Sequence, residues 1–426
     1  MKILAIETSC DETAVSIVSA KGGFERPVFE VLAEAVHSQV DLHTLYGGVV
    51  PMLAKREHAK RLVPLLKRAL EMSKFKVQTC PTARRGSKKE NGANKLEKEI
   101  REEIKEILER EPELAEKLLA FLDANEVSDI DVIAVTEGPG LEPALWVGIN
   151  AAKALALAWG KPLVPINHLE GHLLSVLITD RKFKLRSPKS KKIEFPVLGL
   201  IVSGGHTELV LMRDWLDYEI IGQTRDDAAG EAFDKVARIL DLPYPGGPEI
   251  SKLAKNHLDI ECPGQNGPLG HSMSKCKWGL PRPMINSKDF DFSFSGLKTA
   301  VLYLVKKLGG AEELDQTTKA AIAAEFQQAV IDVLVHKTLK AAEKHGPKTF
   351  IAAGGVMANK SLKQALGQAL EGQNSSIKVL FPDVTLATDN ATMIAAAGYF
   401  RALNSEEPRC NIGASLVAKG NLRLGQ

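Results

Sequence analysis

One pattern occurs twice in this chain: a short apolar strand, a tight turn of small and hydroxyl residues, and a second strand. The first copy runs from a strand at Ile3–Ile6 through Glu7-Thr8-Ser9-Cys10-Asp11-Glu12-Thr13 to a strand at Ala14–Val18. The second runs from Pro196–Val202 through Ser203-Gly204-Gly205-His206-Thr207-Glu208 to a strand at Leu209–Met212. A lone hairpin is barely stable in water, so each copy must belong to a larger sheet that buries one face. The repeat predicts a duplicated α/β fold with a ligand in the cleft between two lobes, where binding sites concentrate. The length of 426 residues accommodates two domains or more.

The two turns carry different chemistry. Thr8, Ser9, Asp11 and Glu12 suit a phosphate or a metal-bound nucleotide, because such groups donate to oxyanions or hold the neutralising ion. Ser203-Gly204-Gly205 offers bare backbone that a ligand can approach closely. Phe350–Ala353 reads as another strand. It ends in Gly354-Gly355, where a flat base or ribose can pack before the helix that follows Asn359. Between the copies, Ile130–Val135 is an apolar strand that Glu137-Gly138-Pro139-Gly140 turns into a helix over Glu142–Trp159.

Asn167-His168-Leu169-Glu170-Gly171-His172 sets two histidines four apart, on one face if the stretch is helical. Both imidazoles can then face one metal ion. Two ligands are part of a shell only, since catalytic zinc or iron takes about three from the protein. The zincin arrangement is excluded: Glu170 stands two places after His168, roughly 200° round the helix, and points away. Asp389 in Thr388-Asp389-Asn390 opens an Ala-rich helix over Asn390–Leu403 and is either the third ligand or an ordinary N-cap.

The remaining segments read more plainly. Met52–Met72 has apolar residues at helical spacing and is long enough to break into two, with His58 on its surface. Lys95–Leu122 gives a charged helical pattern that Pro112 divides, a helical hairpin on the surface. Asp226-Asp227 opens a helix that contains Asp234 and Lys235, Tyr244–Pro248 is a rigid turn, and Phe290–Phe294 alternates like a strand. Basic stretches occur at Lys74–Lys89 and at Arg181–Lys192, where seven of twelve residues are cationic and a phosphate backbone could be held. Residues 256–288 read as a Gly, Pro, Asn and Ser-rich excursion.

Composition limits the partners and the compartment. The net charge of +2 is too small to mark a nucleic-acid binder by bulk charge. The five cysteines are scattered, with no paired spacing, so a reducing cytoplasmic setting is the simplest. No apolar run approaches the roughly 20 residues of a membrane span.

Taken in order, these motifs resemble one family over nearly the whole chain. They are Ile6–Thr13, Tyr46-Gly47-Gly48-Val49-Val50-Pro51, His168–His172, Val202–Thr207, Asp226–Lys235, Phe292–Thr299, Gly354–Asn359 and Thr388–Asn390. The family is the tRNA threonylcarbamoyl-adenosine transferases of the bacterial TsaD type. The resemblance implies a two-lobed actin-like fold, that of the sugar kinase and heat-shock ATPase (ASKHA) superfamily. It divides the chain into a first lobe at 1–194, with a helical and basic insertion at about 76–127, a second lobe at 195–384, and a helix and tail at 385–426 that return to the first lobe. It implies transfer of threonylcarbamoyl from threonylcarbamoyl-AMP to N6 of the adenosine beside the anticodon, in tRNAs that read codons beginning with A.

By the same resemblance His168, His172 and Asp389 bind one Fe²⁺ or Zn²⁺. Ile201, Val202, Ser203, Gly204, Gly205, Asp234, Gly247 and Asn359 hold the adenylate, an ATP-type ligand, and Asp11 and Glu12 lie at the reacting end. The implied partners are tRNA, a smaller paralogous TsaB-type subunit and a TsaE-type ATPase, with no membrane. The chain departs from the family in its longer 76–127 region, in enlarged 182–192 and 256–288 stretches, and in Ala387, where the family often has Cys. Three rival readings stand beside this one: an ATP-dependent kinase or ATPase of the same fold, a metallopeptidase, and a non-enzymatic scaffold.

Overall fold

The computed structural model describes residues 1–73, 78–79, 96–126, 129–178, 192–261, 278–373, 376–405 and 415–425. The basic stretches at 80–89 and 181–191, and residues 262–277, lie outside them.

Two five-stranded sheets carry the molecule. The first contains β1 (Lys2–Glu7), β2 (Glu12–Lys21), β3 (Val28–Ser38), β4 (Val132–Gly138) and β5 (Leu163–Asn167), in the order β3-β2-β1-β4-β5. The second contains β6 (Val197–Val202), β7 (Thr207–Asp214), β8 (Asp217–Gln223), β9 (Thr349–Ala353) and β10 (Lys378–Leu380), in the order β8-β7-β6-β9-β10. The orders correspond strand for strand. In each sheet the first three strands are an antiparallel meander and the last two run parallel to the first; Ala5 pairs with Ser16 and Ala134, and Leu200 with Leu209 and Ala352. This is the duplicated, two-lobed actin-like architecture.

Period-two alternation explains how the sheets are filled. Leu4 and Ile6 enter one core of the first lobe, and Ile3 and Ala5 point into another. Likewise Leu198, Leu200 and Val202 face the second lobe's own core, and Val197 and Ile201 face the opposite way. Ile3, Ala5, Val197 and Ile201 belong to one continuous apolar cluster, so the lobes share a core along their seam.

Helices cover the outer faces. On the first lobe these are α1 (Pro51–Ser73), α2 (Lys98–Ile107), α3 (Pro112–Ala124) and α4 (Glu142–Trp159). The seam holds α5 (His168–Leu174), and the second lobe carries α6 (Ala229–Ile239), α7 (Gly246–Glu261), α8 (Ser295–Lys307), α9 (Gln316–His345) and α10 (Lys360–Gln373). The last helix, α11 (Ala391–Asn404), returns to pack on β1 and β2.

Several expectations change. α1 is one helix with Pro64 inside it, not two. The α2–α3 hairpin is not a surface appendage: Ile104, Leu108, Leu114, Leu118 and Phe121 are buried in the first lobe's core. The third strand of the second sheet, β8, was not expected. Phe290–Phe294 forms no strand, only an isolated bridge between Phe292 and Thr224. The Tyr244–Pro248 turn runs straight into α7, which takes in 256–261 as well.

Candidate active site

The seam helix α5 presents the histidines. Asn167 caps it, its side-chain oxygen accepting from Leu169 N at 2.9 Å and Glu170 N at 3.4 Å. Every residue of α5 is buried. Gly171 lets it lie close against α11, because a Cβ there would stand 3.0 Å from Ile394 Cδ1. Glu170 points to the back of the helix, where it takes a bidentate pair from Arg401 on α11, with contacts of 2.7 and 3.0 Å. A carboxylate locked there serves neither histidine, which removes the metallopeptidase geometry.

On the front of α5, His168 Nε2 and His172 Nε2 lie 3.4 and 3.1 Å from Asp389 Oδ1. Asp389 does not cap α11. Asn390 does, accepting from Met393 N, and this frees the Asp389 carboxylate to face the histidines. Among the described residues, these three form a cluster able to hold a metal ion.

The surrounding hydrogen bonds favour such an ion. His168 Nδ1 lies 3.1 Å from Glu7 Oε2, whose carboxylate also accepts from Thr136 Oγ1 at 2.6 Å and Ser9 N at 2.5 Å. Glu7 is fully buried. A carboxylate on one ring nitrogen fixes the tautomer and aims the other nitrogen's lone pair at the metal position. His172 is also fully buried, and neither of its ring nitrogens makes a well-aligned hydrogen bond. Two imidazole nitrogens and a carboxylate oxygen facing one another are a set that a cation can bridge. Two histidines and one carboxylate are the donor set of zinc and of non-haem iron.

The three side chains are also strongly coupled in charge. Burial works to raise Asp389, yet His168 above all, and then His172, hold its carboxyl far below the usual range. Burial opposes a charge on His168, but Asp389 and Glu7 outweigh it and hold the imidazole well above its ordinary value.

The first lobe adds an acidic turn beside this cluster. Burial, with the charges of Asp389 and Asp11, pushes Glu12 up to about 10. A cation on Asp389 would cancel one of those charges. Facing the turn from the second lobe are Asp234 and Tyr244, close enough for Asp11 to raise both.

The second lobe contributes bare backbone. Ile201 and Val202 end β6, and the Ser203-Gly204-Gly205 turn follows. A Cβ built on Gly204, Gly205, Gly247 or Gly355 would meet nothing within 4 Å. Gly354, by contrast, has φ +96° and a Cβ there would lie 2.5 Å from Val202 O, so the two turns pack backbone to backbone. Asp234 accepts from Gly246 N at 2.7 Å and holds the start of α7. The Asn359 side chain is engaged on both ends, donating to Gln327 Oε1 at 2.7 Å and accepting from Leu362 N at 3.0 Å.

Asp226 and Asp227 lie before α6 rather than in its first turn. Asp226 accepts from Ser295 Oγ at 2.7 Å and Phe294 N at 2.8 Å, and so caps α8. Asp227 pairs with Lys235 and Lys298.

One set of residues escaped the sequence reading. His58 is not on the surface but fully buried, with Thr13 Oγ1 at 2.7 Å from Nδ1 and Cys10 O at 3.0 Å from Nε2. Gln39 lies 3.4 Å from the same Nδ1 and 3.2 Å from His43 Nε2, and its backbone N–H donates to Asp11 O at 2.9 Å. A buried polar spine therefore joins the Asp11 turn to the loop after β3. The available signal was helical phase: His58 falls on the stripe formed by Ala54 and Leu62. Glu7, His206 and Thr136 were likewise missed as neighbours of the metal cluster. Burial and the two cluster histidines lower His206 to about 4.

The fold and the seam cluster define a two-lobed α/β protein with a metal-type donor set beside an open, glycine-lined cradle. A family model described as TsaD, tRNA N6-adenosine threonylcarbamoyltransferase, matches residues 30–81 and 103–396. The tRNA N6-adenosine threonylcarbamoyltransferase of Chromobacterium violaceum is 41% identical over 96% of this chain and 95% of its own length. That of Thermosipho africanus is 41% identical over 94% of each. A ROK hexokinase structure from Thermus thermophilus aligns over 95% of this chain and 100% of its own, at 11% identity and a TM-score of 0.41. The chain belongs to the TsaD family.

Proposed function

We propose that this chain transfers a threonylcarbamoyl group from threonylcarbamoyl-AMP to N6 of the adenosine beside the anticodon, in tRNAs that read codons beginning with A. The observation that carries the reading is the juxtaposition at the seam. The His168–His172–Asp389 donor set adjoins an acidic turn from one lobe and open glycine backbone from the other.

The roles divide by lobe. Ile201, Val202, Ser203, Gly204, Gly205 and Gly247 receive the adenylate, where the absence of side chains lets its base, ribose and phosphate rest on backbone. Asp234 and Asn359 shape that cradle by fixing the starts of α7 and α10. His168, His172 and Asp389 hold one Fe²⁺ or Zn²⁺, with Glu7 orienting His168. Such an ion, when bound, supplies Lewis-acid polarisation of the carbamoyl or threonyl oxygens and a template for them.

The transfer forms a bond between N6 and the carbamoyl carbon and breaks the bond from that carbon to the phosphate oxygen. AMP leaves with the electron pair, and one N6 proton must depart. Asp11 takes that proton, with Glu12 next to it in the same turn. The exocyclic amine is a weak nucleophile, so orientation contributes more than base strength. Asp11→Asn is expected to lower kcat by about 10²–10⁴-fold, the usual worth of a positioned base, with adenylate binding unchanged. Full transfer by this variant would remove Asp11 from the role.

The family resemblance extends the proposal to a smaller paralogous TsaB-type subunit and a TsaE-type ATPase as partners. The test combines purified chain, unmodified tRNA and threonylcarbamoyl-AMP, with and without the paralogous subunit, and detects the modified nucleoside by mass spectrometry. Product in either mixture supports the reading. No product with the partner present, together with steady ATP turnover, overturns it in favour of an ATPase.

A further inference from the structure

The loop between β3 and α1 presents an exposed apolar tip beside the cleft. Leu45 is 80% exposed and its neighbour Tyr46 is 62% exposed.

The tip stands on a fixed stem. His43 O accepts from Tyr46 N at 3.0 Å and Gly48 N at 3.2 Å, and His43 is held by Gln39, the residue that also bonds Asp11 O. The buried spine His43–Gln39–His58 thus sets the distance from the tip to the acidic turn. Across the cleft, Thr44 Oγ1 donates to Tyr244 O at 3.1 Å, and the exposed Arg238 guanidinium donates to Gly47 O. The tip is therefore a rigid shelf at the cleft mouth, with the acidic turn at its foot and a cation at its side.

We infer that Tyr46 is a stacking platform for an unpaired nucleobase of the substrate RNA, in or next to the residue that is modified. This deepens, and rests on, the transferase reading above. An amine acceptor on a base can reach the acidic turn only when the base is unstacked from its neighbours. An exposed ring is the group that compensates the lost stacking, and it tolerates any base because every base has a π face. Arg238 adds a cation where the RNA backbone must pass.

The test measures binding of unmodified tRNA by fluorescence anisotropy and, separately, steady-state transfer by the full complex. Tyr46→Ala is expected to weaken tRNA binding about tenfold, or about 1.4 kcal/mol. Its KM for tRNA rises by a similar factor, while kcat at saturating tRNA stays within about twofold and KM for threonylcarbamoyl-AMP does not move. Tyr46→Trp is expected to restore binding, with its added emission quenched on tRNA addition, which a merely structural loop residue would not give. Wild-type affinity in Tyr46→Ala overturns the inference, as does weakened binding of the paralogous subunit in place of tRNA. A wild-type chain that forms no product fails the transferase reading instead, whatever Tyr46 does to tRNA binding.

Discussion

The two lobes have the same strand order and the same turn between their first two strands, yet they treat that turn oppositely. In the first lobe the turn is packed: Glu7, Thr8, Ser9 and Asp11 are buried, and Gly140 lies so close behind it that a Cβ there would stand 2.5 Å from Ser9 O. In the second lobe the turn is open, with empty space over Gly204 and Gly205. One lobe supplies fixed charge and the other supplies room. On the proposed reading a duplicated fold thus has one ligand cradle, because the second turn offers open backbone where the first offers buried polar side chains.

The largest break in this division comes from the shared cluster. His172→Ala removes one of three donors, and the remaining two are too few for a stable site. Metal content measured by inductively coupled plasma mass spectrometry should fall from about one per chain to near zero, and transfer should drop by at least about 10²-fold. Undiminished metal content would relocate the site.

A pair of single-methyl insertions sharpens the contrast between the turns. Gly140 has φ +159°, and Gly140→Ala forces a side chain into the backbone of the first turn at Ser9. Overpacking and backbone strain together should cost about 2–5 kcal/mol, read as a lower midpoint of denaturation. Gly204→Ala meets no atom and should leave stability within about 0.5 kcal/mol while raising KM for the adenylate several-fold. Equal stability effects at the two positions would break the comparison.

How far the sequence could anticipate this follows from where its signals are local. The strand–turn–strand echo is a period-two pattern over a few residues, so the first two strands of each sheet, α4 and the His168–His172 helix fall where pattern placed them. β8 was missed because Asp217–Gln223 begins with Asp and alternates Tyr218 with Glu219 before an apolar pair, a weak signal beside its neighbours. His58 was misplaced for a different reason. Its helical phase with Ala54 and Leu62 points inward, but its partners Thr13 and Gln39 are distant in sequence and are brought to it only by the fold. Asp389 was left between two roles because local sequence cannot say which of two adjacent polar residues caps α11. The fold decides it, by giving the cap to Asn390.

The smallest expected effect concerns the feet of the second strands, Glu12 and Glu208. Glu12 is raised by burial together with neighbouring carboxylates. Glu208 is raised to about 7 by burial alone, against the opposing pull of Arg423. A carboxyl whose folded value lies above its ordinary 4.5 binds its proton more tightly when folded. Its contribution to stability is therefore fully present below pH 4.5 and is lost as the pH rises through about 7. Glu208→Gln keeps the shape and removes the ionisation. The variant should match the wild type at pH 4.5 and exceed it at pH 8 by about 1–3 kcal/mol, measured by urea denaturation at both values. A gain that is equal at both would mean that Glu208 is ionised without penalty. The open lobe would then tolerate a buried charge as the packed lobe does at Glu7, through a partner rather than through a proton.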